Sequence, residues 1–280
     1  MHDVAIVGAG ELGGALAHVL ARRDVAASIR LFDTGGQIAA GKALDIMQAA
    51  PIEGFATRVS GANDLLSIGG ADIVVIADRA AAGEWPEDEA LLLLRQIAGV
   101  APRSVYVCAG AQARAVVERG VCELKFSRER LFGSAPEALA SAIRAIVALE
   151  TNGSAADVAL TVLGIPPAQV VVPWEDAAIG GFAAARVLDE PVRRRIAARV
   201  APLWPPGPYA LATAAGEAIA AIAGRSRRTL SCFVAGGNDG GRNARAAALP
   251  VQLGPGGILK VETPVLNASA RVVLDNAMQL

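Results

Sequence analysis

Apolar residues along the first 110 positions recur in two alternating rhythms. Short runs, Val4–Val7, Ser28–Phe32, Thr57–Ser60, Asp72–Ala77 and Ser104–Cys108, read as buried strands. Between them Leu12, Ala15, Leu16, Val19 and Leu20 are spaced as one face of a helix over Glu11–Arg23. Further helices are predicted from about Ile38 to Ala50, ending at Pro51, and over Asp88–Val100. Parallel strands need long crossovers, so strands separated by helices predict a doubly wound α/β domain. After Gly133 the rhythm changes. A long Ala-rich helix is predicted over Pro136–Glu150, strands at Asp157–Gly164 and Val170–Val172, and helices over Val192–Val200 and Ala210–Ile222. Leu249–Leu253 and Ile258–Val261, joined by Gly254-Pro255-Gly256-Gly257, predict a hairpin. A last helix from Asn267 is expected to bury Val273, Leu274, Ala277 and Met278. The expected domains are residues 1–134 and 135–280, with the boundary near Ser134–Pro136.

Composition narrows the function classes. Of the 280 residues 60 are Ala, so the apolar excess comes from small helix formers, and no stretch of 18 apolar residues suggests a membrane span. Net charge is −1, which argues against a nucleic-acid surface; the clusters Arg193–Arg195 and Arg225–Arg228 are expected on solvated faces or loop ends. Cys108, Cys122 and Cys232 are odd in number and far apart, which argues against a disulfide framework or a zinc site. The amino-terminal residues carry no signal-like segment, and a cytoplasmic location is the expectation. The two histidines, His2 and His18, both fall in the first 18 residues.

Gly8-x-Gly10-x-x-Gly13 lies between a predicted strand and helix, and Asp33 ends the second strand 20 residues after Gly13. Each part has a task in holding a dinucleotide. Gly8 permits a tight turn, Gly10 lets backbone approach a pyrophosphate, Gly13 lets helix pack on strand, and the helix start favours the anion. Asp33 would accept from the adenosine ribose and repel a 2′-phosphate, favouring NAD over NADP. The expected cofactor contacts are Gly8, Gly10, Glu11, Leu12, Gly13 and Asp33, with no metal.

The chain resembles the malate/lactate dehydrogenase family nearly end to end. The resemblance rests on Val4–Gly13, Leu31–Asp33, Gly41-Lys-Ala-Leu-Asp45, Ala71–Ile76, Val162–Gly164 and the Leu249–Ile258 hairpin. It implies an N-terminal Rossmann-type doubly wound parallel sheet followed by a C-terminal α+β substrate-type domain. It also implies hydride transfer between NAD and a 2-hydroxy or 2-keto acid. That chemistry uses a His oriented by an Asp as proton relay, and Arg side chains that clamp the carboxylate.

At the matching positions those groups are replaced. The family's Gly-x-His-Gly corresponds to Gly164-Ile165-Pro166-Pro167, and its Leu-Asp-x-x-Arg to Ala138–Ala142, leaving Leu139 and Ala142 for the Asp and Arg. Arg144 stands roughly 200° around the helix from Ala142 and faces away. Gly110-Ala111 takes the place of an Asn-Pro, Leu94 that of an Asn, and the lid reads Arg79-Ala-Ala-Ala-Gly-Glu-Trp-Pro86. Ala201–Pro208 is a shortened version of an active-site helix. His18 is expected on a helix surface, not in catalysis. No catalytic residue is therefore assigned.

The expectation is a pseudoenzyme that retains NAD and acts as a sensor, a structural partner, or the inactive subunit of a mixed oligomer. Possible partners are a second copy or an active paralogue, with neither nucleic acid nor membrane. The alternative is an active NAD-dependent oxidoreductase on an acid such as malate or oxaloacetate. Its rebuilt site would use Glu175, Asp176 or Tyr209 as proton carrier and Arg79 or a second-half Arg as clamp; the plainer reading of Glu175 and Asp176 is an acidic pair at a helix start. The related NAD- and metal-dependent glycosidases need Cys and His ligands that the second half does not supply. A cleft filled by Trp85 or other apolar side chains would exclude a hydroxy acid.

Overall fold

The computed structural model describes residues 2–236 and 245–279. Its first half runs β1 (His2–Val7), α1 (Glu11–Arg22), β2 (Ala26–Phe32), α2 (Gly36–Glu53), β3 (Arg58–Ala62), β4 (Ile73–Ile76), α3 (Glu87–Val100), β5 (Val105–Cys108), α4 (Ala113–Cys122) and β6 (Leu131–Gly133). The second half begins with α5 (Ala135–Thr151), β7 (Val158–Ala159), β8 (Leu163–Ile165), β9 (Gln169–Val171), β10 (Ala178–Ile179), β11 (Phe182–Ala183) and α6 (Ala184–Val187). It ends with α7 (Glu190–Ala198), α8 (Pro208–Ile222), β12 (Leu230–Ala235), β13 (Ala246–Gly254), β14 (Gly257–Val261) and α9 (Ala268–Gln279).

The main sheet is ordered β3-β2-β1-β4-β5-β6-β12-β13-β8-β9, with β14 on β13. From β3 to β6 every pairing is parallel; from β6 to β12 onward every pairing is antiparallel. Helices cover both faces of the parallel part, so Val4–Val7, Ile73–Ile76 and Val105–Cys108 are buried throughout and read as unbroken apolar runs. α1 buries Leu12, Leu16 and Leu20 on one stripe. Chain order reverses between β1 and β4, where Val7 lies opposite Ile76, so their carboxyl ends frame the crevice in which such sheets bind ligands.

Three expectations need correction. Pro51 does not stop α2, which runs to Glu53 and closes at Gly54 with φ of +78°. In a last turn a proline removes one hydrogen bond, and a left-handed glycine then ends the helix. Asp157–Gly164 is not one strand: after the short β7, the N–H of Val162 donates to Ser231 Oγ at 2.9 Å before β8 begins. In α9 Ala277 is buried, but Val273 is exposed and Leu274 only half-buried; the side chain of Met278 lies outside the described residues.

Candidate nucleotide cleft

Gly8 has φ of +113°, and a Cβ there would lie 2.3 Å from the carbonyl oxygen of Asp78. A Cβ on Gly13 would lie 2.0 Å from the carbonyl oxygen of Gly8, so this glycine permits the close approach of α1 to the sheet. α1 starts without a side-chain cap of its own. Its first-turn donors are taken by a residue from the opposite wall: Leu12 N and Gly13 N donate to Asp78 Oδ2 and Oδ1 at 3.2 and 2.9 Å. Gly10 N donates to the backbone carbonyl of Asp78 at 2.9 Å, and Lys42 Nζ reaches Gly10 O at 2.6 Å. The side chain of Leu12 is buried in the core, so only its N–H faces the loop; Glu11 is exposed at the helix start.

Asp33 ends β2 and is buried, 5% exposed. Its carboxylate accepts from Ala9 N at 2.8 Å, Ala80 N at 3.0 Å and Gly35 N at 2.9 Å. Burial pushes its pKa up, but these three donors and the nearby Lys42 charge together hold it below the usual carboxylate range.

The segment after β4 folds across the cleft. Arg79 N donates to Gly83 O at 2.8 Å, its guanidinium bonds Glu89 at 2.9 Å, and it stacks 5.1 Å from the centre of the Trp85 ring. Glu84 then caps a second helix, with Oε1 and Oε2 accepting from Ala111 N and Gln112 N at 2.9 Å each, just ahead of α4. Trp85 sits among Ile76, Ala77, Cys108, Gly110 and Val116 and leaves only about 30 Å³ beside it, about the volume of one water. Burial pushes the Cys108 thiol here up to about 12, so it is no nucleophile at neutral pH.

Beyond Trp85 lies a hollow of about 290 Å³ bounded by Pro166, Trp204, Phe233, Gln112 and Arg114. Trp85 thus fills part of the cleft, and the remaining volume does not itself exclude a small 2-keto acid. Chemistry is the sharper criterion. Pro166 stands at the hollow without a titratable group, while Leu139 and Leu94 are fully buried in the core. Arg144 lies inside the second half, paired with Glu137, whose other oxygen accepts from Ser231 N at 2.8 Å. Burial pushes Glu137 up, opposed by the Arg144 charge. His2 is 3.5 Å from Asp72, and His18 bonds Glu53 at 3.2 Å between α1 and α2.

Of the residues of the rebuilt-site alternative, Asp176 shares a hollow of about 480 Å³ with the second-half arginines Arg144 and Arg228, separate from the one at Pro166, whereas Glu175, Tyr209 and Arg79 do not line it. Asp176 accepts from Val265 N at 2.8 Å and Glu175 from Asn267 at 3.1 Å, tying down the approach to α9 from a turn and not from a helix start. Tyr209 is 80% exposed, and the Arg79 guanidinium is taken up by Glu89 and by the backbone carbonyls of Ala82 and Glu84. Sequence reasoning missed Asp78 and Glu84. Their signal was an acidic residue directly after β4, facing a glycine loop, and another just before the tryptophan.

A dinucleotide needs free N–H groups at the α1 start, an acidic side chain after β2 and space beside the glycines. Asp33 provides the acid, whereas both the N–H groups and the space beside Gly10 are taken by the Asp78 carboxylate. The cradle therefore fits the cofactor only with the Asp78 side chain withdrawn.

Residues 2–91 match the lactate/malate dehydrogenase NAD binding domain family. The chain is 28% identical to a malate dehydrogenase from Cereibacter sphaeroides over 98% of its own length and 93% of the relative's. It is 29% identical to the malate dehydrogenase of Thioalkalivibrio sulfidiphilus over 71% of its length and 68% of the relative's. Among solved structures it is similar to Salinibacter ruber malate dehydrogenase, with a TM-score of 0.87 and 25% identity, covering 99% of this chain and 94% of that one. The lactate dehydrogenase of Cryptosporidium parvum, solved with lactic acid and nicotinamide adenine dinucleotide, shares the fold with a TM-score of 0.88 at 20% identity, covering 99% and 95%.

Proposed function

We propose that the chain, whose residues 2–91 match the lactate/malate dehydrogenase NAD binding domain, is a member of the malate/lactate dehydrogenase family without hydroxy-acid dehydrogenase activity. What carries this reading is the hollow at Pro166. Hydride transfer to a keto acid needs a proton donor within hydrogen-bond reach of the substrate oxygen and a cation on its carboxylate. At Pro166 the walls include Trp85, Trp204, Phe233 and the proline itself, and the two charged groups that line it, Arg114 and Glu87, are already paired with Glu118 and Arg119. The imidazoles of the chain are held elsewhere, beside Asp72 and Glu53.

The family's cofactor would supply the hydride; the residues here that would hold it are the N–H groups of Leu12 and Gly13 and the carboxylate of Asp33. Such a protein acts as a nucleotide-responsive sensor or structural subunit in the cytoplasm, as a homo-oligomer or beside an active paralogue.

Arg114 gives a second reading some support. Its guanidinium borders the hollow and could meet a carboxylate, as in an oxidoreductase with a rebuilt site. Against this, the acid beside it, Glu87, is engaged 2.8 Å from Arg119, and Arg114 itself is 3.1 Å from Glu118. Incubation of the purified protein with NADH and oxaloacetate, pyruvate or longer 2-keto acids separates the two. Absorbance of NADH stays at the protein-free rate on the first reading and falls faster with at least one acid on the second.

A further inference from the structure

Two helix N-termini flank the crevice, and each holds a carboxylate from the same nine-residue segment. Asp78 accepts from the first turn of α1, and Glu84 from the N–H groups leading into α4. Between them Ala80 N donates to Asp33 at 3.0 Å, so the segment also engages the acid that would meet the ribose. An isolated helix cap is a common structural device. This cap comes from a residue 66 positions away, on the opposite lip of the sheet's reversal point, and fits a loop whose glycines leave room for an anion. A Cβ on Gly10 would lie 2.2 Å from Asp78 Oδ2, so the space freed by that glycine is the space the carboxylate fills.

We propose that the segment Asp78–Pro86 is a built-in plug of the nucleotide site, with the Asp78 carboxylate seated where the pyrophosphate of a dinucleotide would bind and Glu84 pinning the far end. This rests on the cofactor reading of the glycine loop. Two anions cannot share two N–H donors, so nucleotide binds only the conformer in which Asp78 has left. If that conformer is a fraction f of the population, the apparent Kd is the intrinsic Kd divided by f. Opening breaks the contacts of Asp78, Glu84 and Ala80 together, which keeps f small and makes binding a report on the state of the segment.

The test is titration of wild type, Asp78→Ala and Asp78→Asn with NADH, followed by tryptophan quenching and by calorimetry, with circular dichroism as the control for folding. Asp78→Asn is nearly isosteric and serves if the alanine variant does not fold. The expected result is NADH binding at least tenfold tighter in Asp78→Ala than in wild type, with Asp78→Asn between them. Equal, measurable affinity in all three overturns the plug while leaving the cofactor reading intact. Loss of stability in the variants without gain of affinity also overturns it, reducing Asp78 to a cap. Absence of binding in every folded variant overturns both the plug and the cofactor reading.

Discussion

Asp78 and Gly13 are 65 residues apart in sequence, yet Asp78 Oδ1 accepts the Gly13 N–H at 2.9 Å. The carboxylate replaces the local N-cap that α1 lacks, because Gly10 at that position has no side chain. An acceptor at a helix start is stabilised by both hydrogen bonding and the helix dipole. Replacement of Asp78 by Ala is therefore expected to lower the stability of the ligand-free protein by about 1 kcal/mol, the usual cost of losing a cap. Urea unfolding of the two proteins checks this; unchanged stability would mean that water caps α1 equally well.

Asp33 ties three backbone segments to one buried carboxylate. Its pKa lies below that of an unfolded aspartate, near 3.9. A lowered folded-state pKa contributes stability that is fully present above the unfolded value and is lost as pH falls through the folded one. Asp33→Asn is expected to be less stable than wild type by roughly 1–3 kcal/mol between pH 5 and 7, since an amide presents an N–H₂ to donors. The gap should narrow below about pH 4 as wild-type Asp33 protonates. A gap independent of pH down to acid unfolding would contradict the assignment.

Glu84 holds the far end of the segment after β4 through two N–H donors. Glu84→Ala removes both contacts and is expected to make the Arg79–Ala80 bond several-fold more sensitive to trypsin, since cleavage follows local opening. Mass spectrometry of timed digests measures it. Cleavage at the same rate in both proteins would show that Arg79, stacked on Trp85, holds the segment alone.

Cys108 and Cys232 are buried, and burial pushes both thiols up, Cys108 to about 12. Thiolate is the reactive form, so at pH 8 neither should react with a thiol reagent in the native protein. Of the three cysteines in the chain, at most one should be modified before denaturant is added and all three after. Rapid native modification at Cys108 would show that the floor of the cleft opens.

Legibility of the sequence followed the range of the interactions involved. β1, β4 and β5 are apolar runs buried on both faces, α1 carries a clean apolar stripe, and the Pro255-Gly256 turn marks the last hairpin, so each was visible locally. β6 is three residues long, and α4 mixes Arg114, Glu118 and Arg119 with an internal Gly120; both escaped notice. β12 was readable in principle, since Leu230–Ala235 is apolar but for Ser231, but no turn signal paired it with β13. The glycine loop and Asp33 stood out because their spacing is local. Asp78 did not, because its meaning depends on the register of Val7 with Ile76, which brings the end of β4 beside the start of α1.

The proposed lack of hydroxy-acid chemistry is tested most directly with the cleft opened. Asp78→Ala, at a concentration that binds NADH stoichiometrically, should be mixed with oxaloacetate, pyruvate or a longer 2-keto acid and followed at the NADH absorbance for a single turnover. No oxidation beyond the protein-free rate is expected, since Pro166 has no titratable group and the charged residues at the hollow, Arg114 and Glu87, are paired with Glu118 and Arg119. Oxidation of one NADH equivalent per chain with any of these acids would contradict it.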